Sequence, residues 1–122
     1  MERKLSTIFA LDVVGFSNLM AIDEDITLAV LKQRREIIDT IIIEHSGRMF
    51  GSAGDSVIAE FDSPVKATEA SIKIQDKMQT INDALPDNQK MQFRIGLNLG
   101  DVMISGDNLY GDAINVAARL EA

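Results

Sequence analysis

Two carboxylates and one helical donor pair are the residues of this chain whose types and settings suit chemistry. Asp55 follows the glycine-rich bend Gly51-Ser52-Ala53-Gly54 within RMFGSAGDSVIAEF, and no basic side chain lies inside that bend. Asp12 stands near the end of the apolar run LSTIFALDVVGF, where Val14-Gly15-Phe16-Ser17 turns the chain into a helix. Successive backbone N–H groups at such a turn suit a phosphate. Asn115 and Arg119 are one helical turn apart and share a face, where an uncharged donor beside a fixed cation suits a pentavalent phosphorus. Each feature has an ordinary explanation by itself. A turn Asp bonds nearby N–H groups, Asp12 caps the next helix, and Arg119 pairs with Glu121 or with solvent. It is the combination, in this order, that points to a site. Two carboxylates together can hold one or two divalent cations, whereas bare they repel.

The elements that must position these residues are legible as patterns. Leu5 to Phe16 is β-branched and aromatic and reads as a central strand. SNLMAIDED reads as a short helical turn. The following segment, closed by Gly47, carries a helical stripe through Leu28, Leu31, Ile38, Ile41 and Ile42. RMFGSAGDSVIAEF folds back on itself as a hairpin. Ser63-Pro64 starts a second long helix, whose stripe runs through Val65, Ala67, Ile72, Ile74, Met78 and Ile81. Phe93, Ile95, Leu97 and Leu99 alternate as in a strand, and Gly100-Asp101 is expected to turn the chain into another short strand. YGDAINVAARLEA is helical. The order β-α-α-β-β-α-β-β-α contains βαββαβ, a ferredoxin-like α+β core of antiparallel sheet with helices on one face. In such a sheet the first strand lies beside the hairpin, so Asp12 and Asp55 are expected at one edge. Arg34-Arg35 reads as part of a solvated helix face, His45 as solvent-facing or as a partner for the helix C-terminus, and the six Met as core filler.

Bulk properties narrow the function classes. The chain has 122 residues, 46% hydrophobic and 25% charged, as expected of one globular domain. Its net charge is −7 and its twelve Lys and Arg are scattered, so no basic face for nucleic acid is visible. An acidic chain still binds a nucleotide when a metal ion or backbone N–H groups supply the attraction. One His and no Cys exclude a typical structural zinc site and any disulfide, and carboxylate chemistry with a hard cation such as Mg²⁺ or Mn²⁺ stays open. No apolar run approaches the roughly 18 residues of a membrane span, so no membrane insertion by this segment is expected. A cytoplasmic, reducing location is compatible with the lack of cysteine.

FALDVVGFS, GRMFGSAGDSVIAEF, FRIGLNLGDV and YGDAINVAARLEA together resemble the catalytic domain of class III adenylate/guanylate cyclases, in the bacterial branch. The resemblance covers essentially the whole chain and implies a reaction. The ribose 3′-oxygen of a nucleoside triphosphate attacks the α-phosphorus and pyrophosphate leaves, in a homodimer whose active sites are shared between protomers. It implies Asp12 and Asp55 as ligands of Mg²⁺ or Mn²⁺, with the Val13 carbonyl as a further ligand. It also implies that the backbone of Val14, Gly15, Phe16 and Ser17 holds phosphate. Asn115 and Arg119 of the opposite protomer would orient the ribose and stabilise the transition state.

The resemblance departs at the base-reading positions. Adenylate-forming members carry a lysine where this chain has Gly51, and commonly an aspartate where it has Asn108. Guanylate-forming members place Glu and Cys there. Asn108 offers both a donor and an acceptor, and Gly51 only backbone groups. ATP is favoured over GTP because the bacterial branch is mostly adenylate-forming. The chain stops within an apolar helix, ARLEA, and is expected to be a fragment lacking the family's C-terminal strands, one of which brings a lysine to the terminal phosphates. The alternative function is a degenerate cyclase-like module that binds nucleotide or dimerises to regulate a partner without turnover.

Overall fold

The computed structural model describes residues 2–105, 108–111 and 114–117. Strand β1 (Glu2–Val13) leads through α1 (Phe16–Ile22) and α2 (Glu24–Glu44) to the hairpin β2 (Arg48–Ala53) and β3 (Ser56–Phe61). Helix α3 (Pro64–Asp83) and a short 3₁₀ turn (Asp87–Gln89) then lead to β4 (Phe93–Ser105) and β5 (Asn108–Tyr110). The sheet order is β2-β3-β1-β4-β5 and every pairing is antiparallel. That is the ferredoxin-like arrangement with β5 added at one edge.

Strand β1 is central, matched to β3 from Thr7↔Phe61 to Leu11↔Val57 and to β4 from Glu2↔Ile104 to Val13↔Phe93. The expected turn at Gly100-Asp101 does not form. Both residues lie inside β4, opposite Ser6 and Leu5, because β1 is long enough to pair β4 through Ser105's neighbour Ile104. A continuous partner strand outweighs the local turn preference of Gly-Asp.

Phe9, Leu11 and Val13 of β1 and Val57, Ala59 and Phe61 of β3 face α2 and α3 in the main core. Helix α2 contributes Leu31, Ile38, Ile41 and Ile42, and α3 contributes Ala67, Ala70, Ile74 and Met78. Strand alternation turns Ile8 and Ala10 to the other face, where they meet Val102 and Ala117 of the helical stretch 114–117. Leu28, Val65 and Ile72, counted in the expected stripes, are instead exposed. The caps follow the sequence. Asp23 Oδ1 accepts from the Ile26 N–H at 3.0 Å, and Ser63 Oγ from the Lys66 N–H at 3.2 Å with Pro64 at the first helical position. His45 ends α2 as its C-cap, its N–H donating to the carbonyl of Ile41 at 3.1 Å.

Arg34 is a correction. It is 2% exposed, not part of a solvated face. Its guanidinium donates to Asn82 Oδ1 at 2.9 Å, the Gln89 carbonyl at 3.3 Å and the Met91 carbonyl at 3.4 Å. Asn82 completes the knot, accepting from the Met91 N–H at 3.0 Å and donating to the Met91 carbonyl at 2.8 Å. The reason is topological. The segment returning from α3 to β4 passes Arg34, at the middle of α2, with carbonyls that need donors, and a buried polar group stays buried only when so paired. Desolvation lowers the Arg34 pKa from its usual value, and the side chain nonetheless remains cationic.

A second polar cluster sits on β1, β2 and β3. The buried Glu60 carboxylate takes Lys4 Nζ at 3.1 Å and the Arg48 guanidinium, with Arg48 Nε at 2.9 Å, and Lys4 also reaches Asp62 at 2.9 Å. Burial by itself would raise the Glu60 pKa, but neighbouring Ser6, Arg48 and Lys4 outweigh it and hold the carboxyl below its ordinary value.

Two outcomes follow. Arg34→Ala strips donors from Asn82 and two carbonyls and should cost about 2–4 kcal/mol in urea unfolding, whereas exposed Lys32→Ala on the same helix costs about 0.5 kcal/mol or less. A carboxyl with a depressed folded pKa stabilises above its unfolded pKa, and that stabilisation is lost as pH falls through the folded value. Glu60→Gln should therefore flatten the acid limb of stability against pH measured below neutrality, and an unchanged limb would refute the role given to Glu60.

Candidate active site

The site forms where the two neighbours of β1 end at different points. Pairing with β3 stops at Leu11↔Val57. Continued in the same register, Asp55 would stand opposite Val13. The Asp55 side chain takes that place, its Oδ2 accepting from the Val13 N–H at 3.1 Å. The hairpin bend makes this possible, because Gly54 has φ 58, a left-handed conformation that glycine adopts without strain. On the other flank the β4 pairing continues past Val13↔Phe93, with the Val14 N–H donating to the Gln92 carbonyl at 2.8 Å.

Asp12 is the residue before Val13 and faces the side of the sheet away from α2 and α3, with Ile8 and Ala10. The expectation that Asp12 and Asp55 share one edge therefore holds in the structure: Asp55 is bonded to the peptide that joins Asp12 to Val13. Directly across from Asp12 in the β1–β4 register is Arg94. Its Nε donates to Asp12 Oδ1 and its Nη2 to Oδ2, each at 3.0 Å, a bidentate pair. Sequence inspection missed Arg94. The signal was its place as a polar residue in the alternation Phe93-Arg94-Ile95, but only the register shows which residue of β1 it faces.

The run Val14-Gly15-Phe16-Ser17 is divided between two tasks. The Val14 N–H is committed to Gln92, so the stretch expected to offer N–H groups narrows to Gly15 to Ser17. Gly15 has φ 64 and is the N-cap of α1, with no side chain to cap it. The first helical bond runs from the Leu19 N–H to the Gly15 carbonyl at 3.0 Å, so the N–H groups of Phe16 and Ser17 precede the helical ladder. The hairpin that carries Asp55 is also braced from outside. Arg35 of α2 donates from Nη1 to Ser52 Oγ at 2.9 Å and pairs with Asp39. A basic residue does reach the bend, from another element.

Gly51 lies in β2 opposite Ile58, next to a β-bulge between Met49 and Gly51. A Cβ built there would meet only Ile58 Cβ at 4.0 Å, so the backbone does not demand glycine. Asn108 begins β5, paired with Ser105 at the sheet edge. Asn115 is exposed on the helical stretch 114–117, and Arg119 lies outside the described residues. Among the described residues, no group of three or more His, Cys, Asp or Glu gathers to hold a metal, and no helix is long and apolar enough to cross a membrane.

Comparison with known proteins identifies the family. The model of the adenylate and guanylate cyclase catalytic domain matches residues 2–122. A putative adenylate cyclase 3 of Rhizobium meliloti (strain 1021) is 42% identical over 123 residues, which take in 100% of this chain and 21% of that protein. The chain thus spans about a fifth of that relative's length. The crystal structure of an adenylate/guanylate cyclase/hydrolase from Silicibacter pomeroyi superposes with TM-score 0.90 at 40% identity, covering 98% of this chain and 70% of that one. A bacterial light-regulated adenylyl cyclase superposes with TM-score 0.86 at 28% identity, covering 99% of this chain and 40% of that one. With its family model matched almost end to end and its fold shared with solved cyclases, the chain belongs to the adenylate and guanylate cyclase catalytic-domain family.

Proposed function

We propose that this domain is a metal-dependent nucleotide cyclase that converts a nucleoside triphosphate, ATP ahead of GTP, to the 3′,5′-cyclic monophosphate and pyrophosphate for intracellular signalling. The observation that carries the reading is the gathering of Asp12 and Asp55 about the single peptide Asp12–Val13, in a chain of the cyclase family. Both are oxygen donors, Asp12 near the end of β1 and Asp55 in the hairpin bend beside it. With the Val13 carbonyl they make a donor set of the kind that Mg²⁺ or Mn²⁺ takes, completed by water and substrate phosphate oxygens. When bound, such an ion neutralises phosphate charge and favours ionisation of the ribose 3′-hydroxyl.

The chain's own residues have separable tasks. The N–H groups of Gly15, Phe16 and Ser17 at the start of α1 suit a phosphate oxygen. The new bond joins the 3′-oxygen to the α-phosphorus, the bond from that phosphorus to the pyrophosphate oxygen breaks, and the 3′-proton departs. Asn115 holds the ribose and the Arg119 guanidinium meets charge developing on the phosphorus, both supplied by the opposite protomer of a homodimer. Gly51 and Asn108 lie where the base is read. The lack of a side chain at Gly51 removes one hydrogen-bonding partner, which weakens discrimination between purines.

The decisive assay uses the full natural chain containing this domain, with Mn²⁺ and ATP or GTP, and mass spectrometry to separate cyclic nucleotide from hydrolysis products. Asp12→Asn should abolish cyclic product, and Arg119→Ala should lower kcat about 100-fold or more while the fold persists. Cyclic product undiminished in Asp12→Asn would refute the reading. A folded dimer that gains thermal stability with Mn²⁺ and nucleotide yet forms no product would instead support a regulatory module without turnover. Because a side chain fits at position 51, Gly51→Lys should fold normally and raise the ratio of ATP to GTP turnover, measured as kcat/KM for each.

A further inference from the structure

We propose that Arg94 is an internal counter-cation that competes with the metal ion for Asp12 and so sets the affinity of the site for metal. This rests on the reading of Asp12 and Asp55 as metal ligands. The two carboxylates would repel one another without compensation, and the structure compensates each differently. Asp55 is neutralised in part by a fixed dipole, the Val13 N–H. Asp12 is held by a full positive charge that occupies both of its oxygens at 3.0 Å.

Three observations make this pair more than a cross-strand contact. The guanidinium engages Asp12 through Nε and Nη2 together, so a cation binding to either oxygen has to share or displace a bond. The pair is placed by the β1–β4 register itself, opposite residues of two strands bonded on through Val13↔Phe93 and the Val14 N–H, so Arg94 cannot drift from Asp12 as a loop residue would. Finally, the Arg94 side chain is 42% exposed against 19% for Asp12, so it is the more solvated member of the pair. A long arginine can pivot about its aliphatic stem, whereas Asp12, short and set in the strand, cannot follow it.

A divalent ion and a guanidinium on the same carboxylate repel at close range, and the cost is paid in metal affinity. The energetic sign is therefore definite. Removing the charge at position 94 strengthens metal binding even though it removes a favourable contact of the metal-free protein. A guanidinium that gives way to the ion at no cost predicts no change, and a residue that holds Asp12 in position for the metal predicts the reverse.

Mn²⁺ alone, without nucleotide, is titrated into the full natural chain and free Mn²⁺ is followed by electron paramagnetic resonance. The chains compared are wild type, Arg94→Met, Arg94→Lys and Asp12→Asn. Arg94→Met should bind Mn²⁺ about tenfold more tightly than wild type. Arg94→Lys, which keeps a charge but loses the fork, should fall between the two. Circular dichroism shows whether each variant is folded, and should Arg94→Met fail to fold, Arg94→Gln takes its place with the same expectation. Wild type and Arg94→Met with equal affinity, a weaker Arg94→Met, or neither binding up to millimolar Mn²⁺ would overturn the competition. The Asp12→Asn arm tests the underlying reading separately. Mn²⁺ binding that survives this substitution unchanged places the ion elsewhere and removes the metal site itself, whereas binding lost in Asp12→Asn with no gain in Arg94→Met leaves the site standing and removes only the role of Arg94.

Discussion

Strand β1 is hydrogen-bonded on both flanks, but its neighbours do not end level with it. The β3 pairing stops at Leu11 while the β4 pairing runs on to Val13 and, through the Val14 N–H, one residue further. The uneven ending leaves one side of the strand's last peptides open. A backbone N–H cannot be left idle there, and the side chain of Asp55 takes it. The hairpin, the bend at Gly54 and the approach of a carboxylate to Asp12 all follow from satisfying that one donor.

The other end of the architecture depends on a similar accounting. The segment between α3 and β4 passes the middle of α2 and the end of α3 without a regular ladder of its own. Arg34 and Asn82 supply it with partners from α2 and α3, so that the carbonyls of Gln89 and Met91 are met inside the core. Gln92 then emerges in the orientation that accepts from Val14. Packing of Ile38, Ile42, Ile74 and the other core side chains against the sheet supplies the apolar burial, while these polar bonds decide where the chain re-enters it.

Much of this was legible in the residues, and the exceptions share a cause. The strands, the two long helices, their caps at Ser63 and their ends near Gly47 were visible because they are local properties of spacing and type. The meeting of Asp12 with Asp55 was also legible, once the order of elements implied that β1 lies beside the hairpin. Arg34, Arg94 and the continuation of β4 through Gly100 were not. Each is decided by a partner distant in sequence: a carbonyl at 89 or 91, a carboxylate at 12, a strand beginning at residue 2. An arginine in a helix looks solvated until the segment that crosses it is known, and a Gly-Asp pair looks like a turn until a twelve-residue strand is found opposite. Arg119, on which the expected chemistry leans, lies outside the described residues.

The Asp55 bond to Val13 also has a mechanical meaning. Helices α2 and α3 and the entry to β4 are riveted together by Arg34 and Asn82. The outer strand β2, by contrast, sits at the edge of the sheet with a bulge beside Gly51. That edge is tied to the block behind it by the bond from Arg35 of α2 to Ser52. Because Asp55 grips β1 by a side chain and not by the ladder, the grip can be released without unzipping any strand pair. The tip of the hairpin, which carries one of the two carboxylates, is thus fastened to the end of β1 by a single side-chain hydrogen bond.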